Sequence, residues 1–473
     1  MASPDLVIVS NRGPLSFTKD DEGRLVTTRG GGGLVSSLGP AVADTGATWV
    51  ASAITEADRE AAASGIVEAE GFRLHSLVTE PGAYRQFYEV VANATLWFLH
   101  HDLFDLPRRP RLDRHWRQAW DTFCDVNDAF AKAVADVAPE GGTVLVHDYH
   151  LSLLGDTLRR LRPDLHTAHF NHTPFCHPAA LRVLPDHAAR RLITGLAGHG
   201  ACGFHSARWA ESFEACCREM LVPPPRTFVA PAVSDLDALE AVAASEQCGR
   251  DLAWLEDQVA DRRLIVRVDR VELSKNLLRG FLAFDELLHD HPEWRERVVL
   301  CACAYPSRDT LVDYLAYRLE VEALAERINT TWATPSWTPV VLDLSDSFAR
   351  SVAALRRYDV LLVNPIRDGM NLVAQEGAAV NERDGVLVLS REAGAWDELG
   401  QAALGVNPFD VTATADALVQ ALTMEETERA ERSAALRSVA TRRSPQDWLA
   451  DQVRAAAAPS GGPHPTGGTT GGG

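Results

Sequence analysis

Short apolar runs alternate with stretches of helical spacing along almost the whole chain, and this alternation constrains its fold more than any other feature. It is the pattern of parallel α/β sheets. Leu6–Ser10 reads as a first buried strand, with Thr143–Val146, His166–Asn171 and Gly200–Phe204 as later ones. Helices fall between them, such as Trp116–Val137, whose aromatic and apolar residues recur at helical spacing. A second series begins after Cys248. Its strands are Arg263–Arg267, Arg297–Ala304, Val340–Leu344, Val360–Asn364 and Val386–Ser390. Its helices are Leu277–His289, Asp309–Ile328, Phe348–Arg357 and Leu372–Asn381. The charged, Ala-rich stretch Asp235–Asp261 separates the two series and is expected to hold the junction. Two open sheets facing each other enclose a cleft, and ligands of such sheets sit beyond the carboxyl ends of the strands.

Composition narrows the class. At 473 residues, two or three domains are expected, each large enough to bury its own core without disulfides or metals. The balance of 46 Lys+Arg against 65 Asp+Glu, −19 in all, argues against a general nucleic-acid binder but leaves room for a local basic pocket. None of the eight cysteines forms a C-x-x-C pair, and Cys301 and Cys303 alternate on an apolar run as buried strand thiols would. The first residues lack a signal peptide's basic and apolar regions. No apolar stretch approaches the roughly 20 residues that span a bilayer. A soluble, cytoplasmic protein is expected, with no nucleic-acid or membrane partner and with a homo-oligomer left open. The Gly-, Pro- and Thr-rich tail from Ala456 to Gly473 should be disordered.

Several strand ends carry chemistry. The glycine run Gly30–Gly33 lets a backbone approach a ligand closely, and the helix start after it favours an anion. It matches neither the dinucleotide fingerprint nor a Walker loop, and a plain hairpin loop competes with the phosphate reading. His147, Asp148, Tyr149 and His150 close a buried strand. A metal would need a further ligand, whereas Asp148 can cap a helix or accept hydrogen bonds from sugar hydroxyls. His172 ends the next strand and could face the same cleft. Arg270 and Lys275, after the first strand of the second series, place two cations beside a helix start. That suits a pyrophosphate whose negative charge grows as it leaves. The competing reading is surface cations paired with Glu272 and Asp269. Arg367 to Leu372, followed by Glu376, has the same placement after Val360–Asn364.

Together these motifs resemble the trehalose-6-phosphate synthase family of retaining glycosyltransferases, from Val7 to about Asp451. The resemblance is carried by Ser10–Pro14, the glycine run, Asn93–Trp97, His147–Leu151, His172–Pro174, Arg270–Lys275, Ser307–Arg308, Arg367–Leu372 and Val406–Asp410. It implies the GT-B architecture, two Rossmann-like domains facing a cleft. Residues 1–240 would form the acceptor-binding domain, 241–455 the nucleotide-sugar domain and 456–473 the tail. It also implies transfer of glucose from a nucleotide-glucose, GDP- or UDP-linked, to glucose-6-phosphate in trehalose biosynthesis, with no metal or other cofactor.

By position, Arg12 and Arg308 would hold the acceptor phosphate, helped by Tyr88. Trp97 would pack on the acceptor, and Asp148 would orient its hydroxyls. Arg270 and Lys275 would stabilise the departing diphosphate, which Gly369, Met370, Asn371 and Leu372 would contact through their main chain. Asp368 would bind the donor sugar, Glu376 the ribose, and His172 the donor glucose near the reacting centre. Gly32 and Gly33 would lie over the donor phosphates. Family members are thought to react on the front face, the leaving phosphate taking the acceptor hydroxyl's proton. Three departures stand out. Asn276 follows Lys275 where many relatives have Gly, Gln375 replaces a frequent Lys, and Ala232 stands where relatives usually place a Gly after Pro231. The segment around Arg270 resembles a bacterial branch said to prefer GDP-glucose. The Lys-Asn pair also occurs in relatives that build aminocyclitol pseudo-disaccharides. Another phosphorylated sugar, polyol or aminocyclitol acceptor, or an inactive sugar-phosphate-binding regulator, are the competing functions. The intact cations and carboxylates speak against the regulator.

Overall fold

The computed structural model describes residues 5–29, 33–308 and 310–458. Its first sheet runs in the spatial order Arg226–Val229, Ala201–Phe204, His166–Phe170, Thr143–His147, Leu6–Val9, Thr48–Ala53, Phe72–Val78, Val67–Ala69. Every pairing in it is parallel except the edge pair Val67–Ala69 with Phe72–Val78. The central strand shows why the chain folds this way. Leu6 and Ile8 point into one core with Trp49 and Trp448, while Val7 and Val9 point into the other with Phe87 and Phe123. A strand buried on both faces must be apolar at every position, which is why it reads as an unbroken run.

The second sheet is entirely parallel, in the order Val340–Asp343, Val298–Tyr305, Arg263–Arg270, Val360–Val363, Val386–Ser390, Leu404–Val406. The α/β fold with two parallel sheets is therefore as the apolar alternation implies. The helices also follow it: Phe348–Arg357 is as expected, Arg114–Val137 begins two residues early, and Leu372–Val380 ends one residue early. The expected start at Asp309 is displaced, since that helix runs Val312–Trp332 and residue 309 lies outside the described residues.

Two features depart from a simple split of the chain near residue 240. The junction stretch forms the helices Leu236–Ala243 and Glu246–Val259, and both pack on Phe348–Arg357 of the second unit. The last helix, Pro445–Ala457, returns to the first sheet, where Trp448 is fully buried and its Nε1 donates to the Ala230 carbonyl at 2.9 Å. Ala456 and Ala457 belong to that helix, and the rest of the expected tail, from 459, lies outside the described residues. All eight cysteines are free thiols. No described helix is long and apolar enough to cross a membrane.

Candidate active site between the two sheets

The carboxyl ends of both sheets meet in one cleft. After the strand Leu6–Val9, Ser10 donates to the Arg12 carbonyl at 2.6 Å and accepts from Trp49 Nε1 at 2.8 Å. These buried bonds fix the turn that leaves Arg12 exposed at the cleft. Facing it is an 11-residue π-helix, Gln86–Leu96, that runs directly into Trp97–His101. Such helices are rare and cluster at functional sites. Tyr88 projects from it, its carbonyl accepting from Asn93 Nδ2 at 2.9 Å and its phenol within electrostatic reach of Arg12 and Arg308. Burial alone would raise the Tyr88 phenol, but the guanidinium groups of Arg12 and Arg308 outweigh it and leave its pKa lowered.

Arg308 comes from the second unit. Its Nη1 donates to Tyr314 at 2.6 Å, its Nη2 lies 3.5 Å from the Tyr149 hydroxyl, and its guanidinium stacks 4.1 Å over the Trp97 ring. The structure thus brings together Arg12, Tyr88, Trp97 and Arg308 from far-apart segments. Trp97 itself is buried, with one face under Arg308 and the ring stacked on His101, so it serves first as the platform for that cation.

Asp148 sits at the end of Thr143–His147 with φ 74°, a left-handed region that an L-residue enters only when held there. Its Oδ1 accepts from Tyr149 N at 2.9 Å, so it does cap the turn Tyr149–Leu151. Burial would raise its pKa, yet His150, His172 and the Tyr149 amide hold the carboxyl well below the usual range. His172 shares a proton with His147, Nε2 to Nδ1 at 3.1 Å, and burial lowers the pKa of both.

On the opposite wall, Arg270 is the last residue of its strand and Lys275 lies in the single turn Leu273–Lys275. The expected surface pairing is half right. Arg270 does pair with Glu272, Nη1 to Oε1 at 3.0 Å, but that carboxylate is fully buried, and Asp269 turns instead to Arg267 at 2.8 Å. Lys275 Nζ lies 2.5 Å from Asp368 Oδ2, and Asn371 Nδ2 donates to the same oxygen at 3.1 Å. Burial would lower the Lys275 pKa, but Asp368 reverses it and keeps the ammonium charged.

Gly369 is pressed against the other unit: a Cβ there would lie 1.9 Å from the His172 carbonyl oxygen. Met370 is buried, and Asn371, with φ 88°, caps the helix Leu372–Val380 by accepting from Ala374 N at 3.1 Å. Glu376, in the first turns of that helix, accepts from Ser234 Oγ at 3.3 Å, and burial pushes its pKa up to about 7. Gln375 points the other way, to Glu398 at 3.4 Å. Gly33 opens the helix Gly33–Val42, whereas Gly32 lies outside the described residues. No group of three or more His, Cys, Asp or Glu side chains able to hold a metal occurs among the described residues.

Sequence reasoning gave Glu272 only as a surface counter-ion and Tyr149 only as part of a strand end, and it passed over Tyr314 and the Arg367–Asp102 ion pair at 2.5 Å that ties the two units. The signal for Glu272 was present, two residues after Arg270, but burial of that charge is visible only once the strands are packed.

Residues 4–458 match the Glycosyltransferase family 20 pattern. The chain belongs to this family. It is 34% identical over 448 residues to the trehalose-6-phosphate synthase of Mycobacterium marinum, covering 89% of this chain and 87% of the relative. A probable UDP-forming α,α-trehalose-phosphate synthase of Arabidopsis thaliana is 31% identical over 443 residues and 90% of this chain, which spans about half of that longer protein, 53%. Among solved structures, the Escherichia coli protein bound with UDP-2-fluoro glucose superposes with a TM-score of 0.84 at 27% identity, covering 96% of this chain and 99% of that one. A Burkholderia xenovorans UDP-forming synthase in complex with glucose-6-phosphate gives 0.83 at 28% identity, with 95% and 99% covered. The family 20 chain is a glycosyltransferase of the trehalose-phosphate synthase kind, with the two Rossmann-like units of the GT-B fold.

Proposed function

We propose that this glycosyltransferase moves glucose from a nucleoside-diphosphate glucose to glucose-6-phosphate with retention, forming trehalose 6-phosphate. The observation that carries the reading is the meeting of Arg12 and Arg308, from opposite units, at the Tyr88 phenol. Two guanidinium groups converging on one point at a cleft suit a dianionic phosphate, which Arg can grip in bidentate fashion. The relative solved with glucose-6-phosphate supports that acceptor. UDP-glucose is the favoured donor, because relatives are named UDP-forming and one is solved with a UDP-linked fluoroglucose. GDP-glucose draws support only from the resemblance around Arg270.

In the proposed reaction the bond from glucose C1 to the diphosphate oxygen breaks while an acceptor hydroxyl oxygen bonds to C1 from the same face. The hydroxyl proton passes to the leaving phosphate oxygen. Arg270 and Lys275 balance the charge that develops there, Asp368 and His172 hold the donor glucose, and Asp148 orients the acceptor. Glu376 takes the ribose, while Gly33 and the Gly369–Leu372 turn contact the phosphates. The chemistry then rests on positioning and fixed charge, with no metal needed. Assays of UDP- and GDP-glucose with glucose-6-phosphate, glucose and other phosphorylated acceptors, with and without EDTA, test it. Trehalose 6-phosphate made with UDP-glucose in the presence of EDTA is the expected result. No product with any donor, or turnover restored only by an added divalent cation, would sink the reading or its metal independence respectively.

A further inference from the structure

We propose that Glu272 is a positioning residue that ties the acceptor-phosphate and donor-diphosphate sites together by holding Arg308 and Arg270 on one carboxylate oxygen. This presupposes that the two arginines serve those phosphates as proposed. Glu272 Oε1 lies 3.0 Å from Arg270 Nη1, 3.4 Å from Arg308 Nη1 and 3.2 Å from Ser307 Oγ. The carboxylate is fully buried, and its other oxygen, Oε2, has no hydrogen-bond partner among the described residues. A buried ion pair of this kind is poor evidence for added stability, since desolvation offsets much of the attraction. A positional role explains it better.

Arg270 and Arg308 carry like charges close together, and the anion between them is what lets both stay in place before any phosphate arrives. Long Arg side chains lose much freedom when fixed, so a counter-ion that fixes them beforehand leaves less to be lost on binding. An opposing effect also operates, because Glu272 subtracts positive charge from a site built for anions. Orientation outweighs it here. Without the carboxylate, Arg270, 38% exposed on its side chain, can swing into solvent, and Arg308 loses the charged partner that fixes its Nη1.

Isothermal calorimetry with UDP alone and with glucose-6-phosphate alone, beside steady-state kinetics, tests the proposal. Glu272→Gln keeps the volume and removes the charge. Each ligand is expected to bind roughly tenfold more weakly, a change of about 1.4 kcal/mol, with kcat lowered as well. Glu272→Asp should recover most of the loss in all of these, which a packing role would not require. Cycles with Arg270→Lys and Arg308→Lys should be non-additive with both arginines. Where Glu272→Gln fails to fold, Ser307→Ala is measured in the same way, with smaller losses expected for both ligands. Loss confined to one ligand, tighter binding, or additive cycles would overturn the coupling. Wild-type protein that binds neither UDP nor glucose-6-phosphate would overturn the functional reading, and this proposal with it.

Discussion

At the scale of single residues, the cleft contrasts a carboxylate whose pKa a neighbouring cation lowers with one whose pKa burial raises. Asp368 sits against Lys275, and although burial opposes it, the ammonium keeps its pKa lowered. Lys275 is thereby charged and fixed where a leaving diphosphate would gather charge. Lys275→Ala is expected to lower kcat about a hundredfold or more while the glucose-6-phosphate KM changes little, on the scale of removing one preorganised charge-stabilising donor. A variant with near-normal kcat would remove Lys275 from leaving-group stabilisation. Glu376 is the opposite case, raised to about 7 by burial with one weak hydrogen bond from Ser234 in return. The sign follows from linkage. Between the ordinary Glu value and about 7 the unfolded chain releases this proton and the folded one keeps it, so stability falls as pH rises through that window. Above it the full cost is present, up to about 3 kcal/mol at 1.36 kcal/mol per unit. Glu376→Gln should therefore raise the denaturant midpoint at pH 8 and leave it nearly unchanged at pH 4. Equal shifts at both pH values would contradict a buried, raised carboxyl.

At the scale of elements, what could be read from the sequence tracks how locally each element is determined. Strands buried on both faces, such as Leu6–Val9 and Val360–Val363, are apolar at every position and appear in the sequence almost to the residue. Thr48–Ala53 and Phe72–Val78 are interrupted by Ser, Arg and His, so they lack that signal and emerge only from sheet pairing. The π-helix Gln86–Leu96 is invisible to any search for 3.6-residue spacing, and its wider turn is stabilised by side chains such as Asn93 Nδ2, which donates to the Tyr88 carbonyl at 2.9 Å. The site residues were found because they follow strand ends in recognisable order; the Lys275–Asp368 pairing and the burial of Glu272 were not, because contacts between distant strand ends have no fixed spacing in sequence. The turn at Gly369 shows the difference. Its glycine reads as a tight turn, but the structure makes the requirement one of contact with the other unit, since an added methyl would meet the His172 carbonyl at 1.9 Å. Gly369→Ala should part the two walls, lowering kcat/KM at least tenfold for both substrates by the sensitivity of catalysis to small misplacements. Wild-type kinetics in this variant would show that the contact does not set the cleft.

At the scale of the whole molecule, the acceptor assignment depends on the two units acting together. Arg367 with Asp102, Ser206 with Asp397 at 2.5 Å and Arg208 with the Arg391 and Ala393 carbonyls at 2.7 Å hold the walls near each other. The charges of Arg12, from the first unit, and Arg308, from the second, both act on the Tyr88 phenol, so a phosphate gripped by both would bridge the two walls. An Arg–phosphate contact is charge-assisted, and losing one should cost about 1.5–3 kcal/mol. That is roughly a ten- to hundredfold rise in KM, because each 1.4 kcal/mol is a factor of ten. Arg308→Ala is therefore expected to raise the glucose-6-phosphate KM by that factor. Donor affinity should fall less, in proportion to the share of Glu272 that Arg308 occupies. The loss should be absent when glucose replaces glucose-6-phosphate, since glucose presents nothing for the guanidinium to hold and is expected to be a poor acceptor of the unaltered enzyme. Steady-state kinetics with both acceptors decide it. Equal use of glucose and glucose-6-phosphate, with Arg308→Ala indifferent to either, would dissolve the phosphate clamp and leave a family 20 glycosyltransferase whose acceptor is recognised by other means.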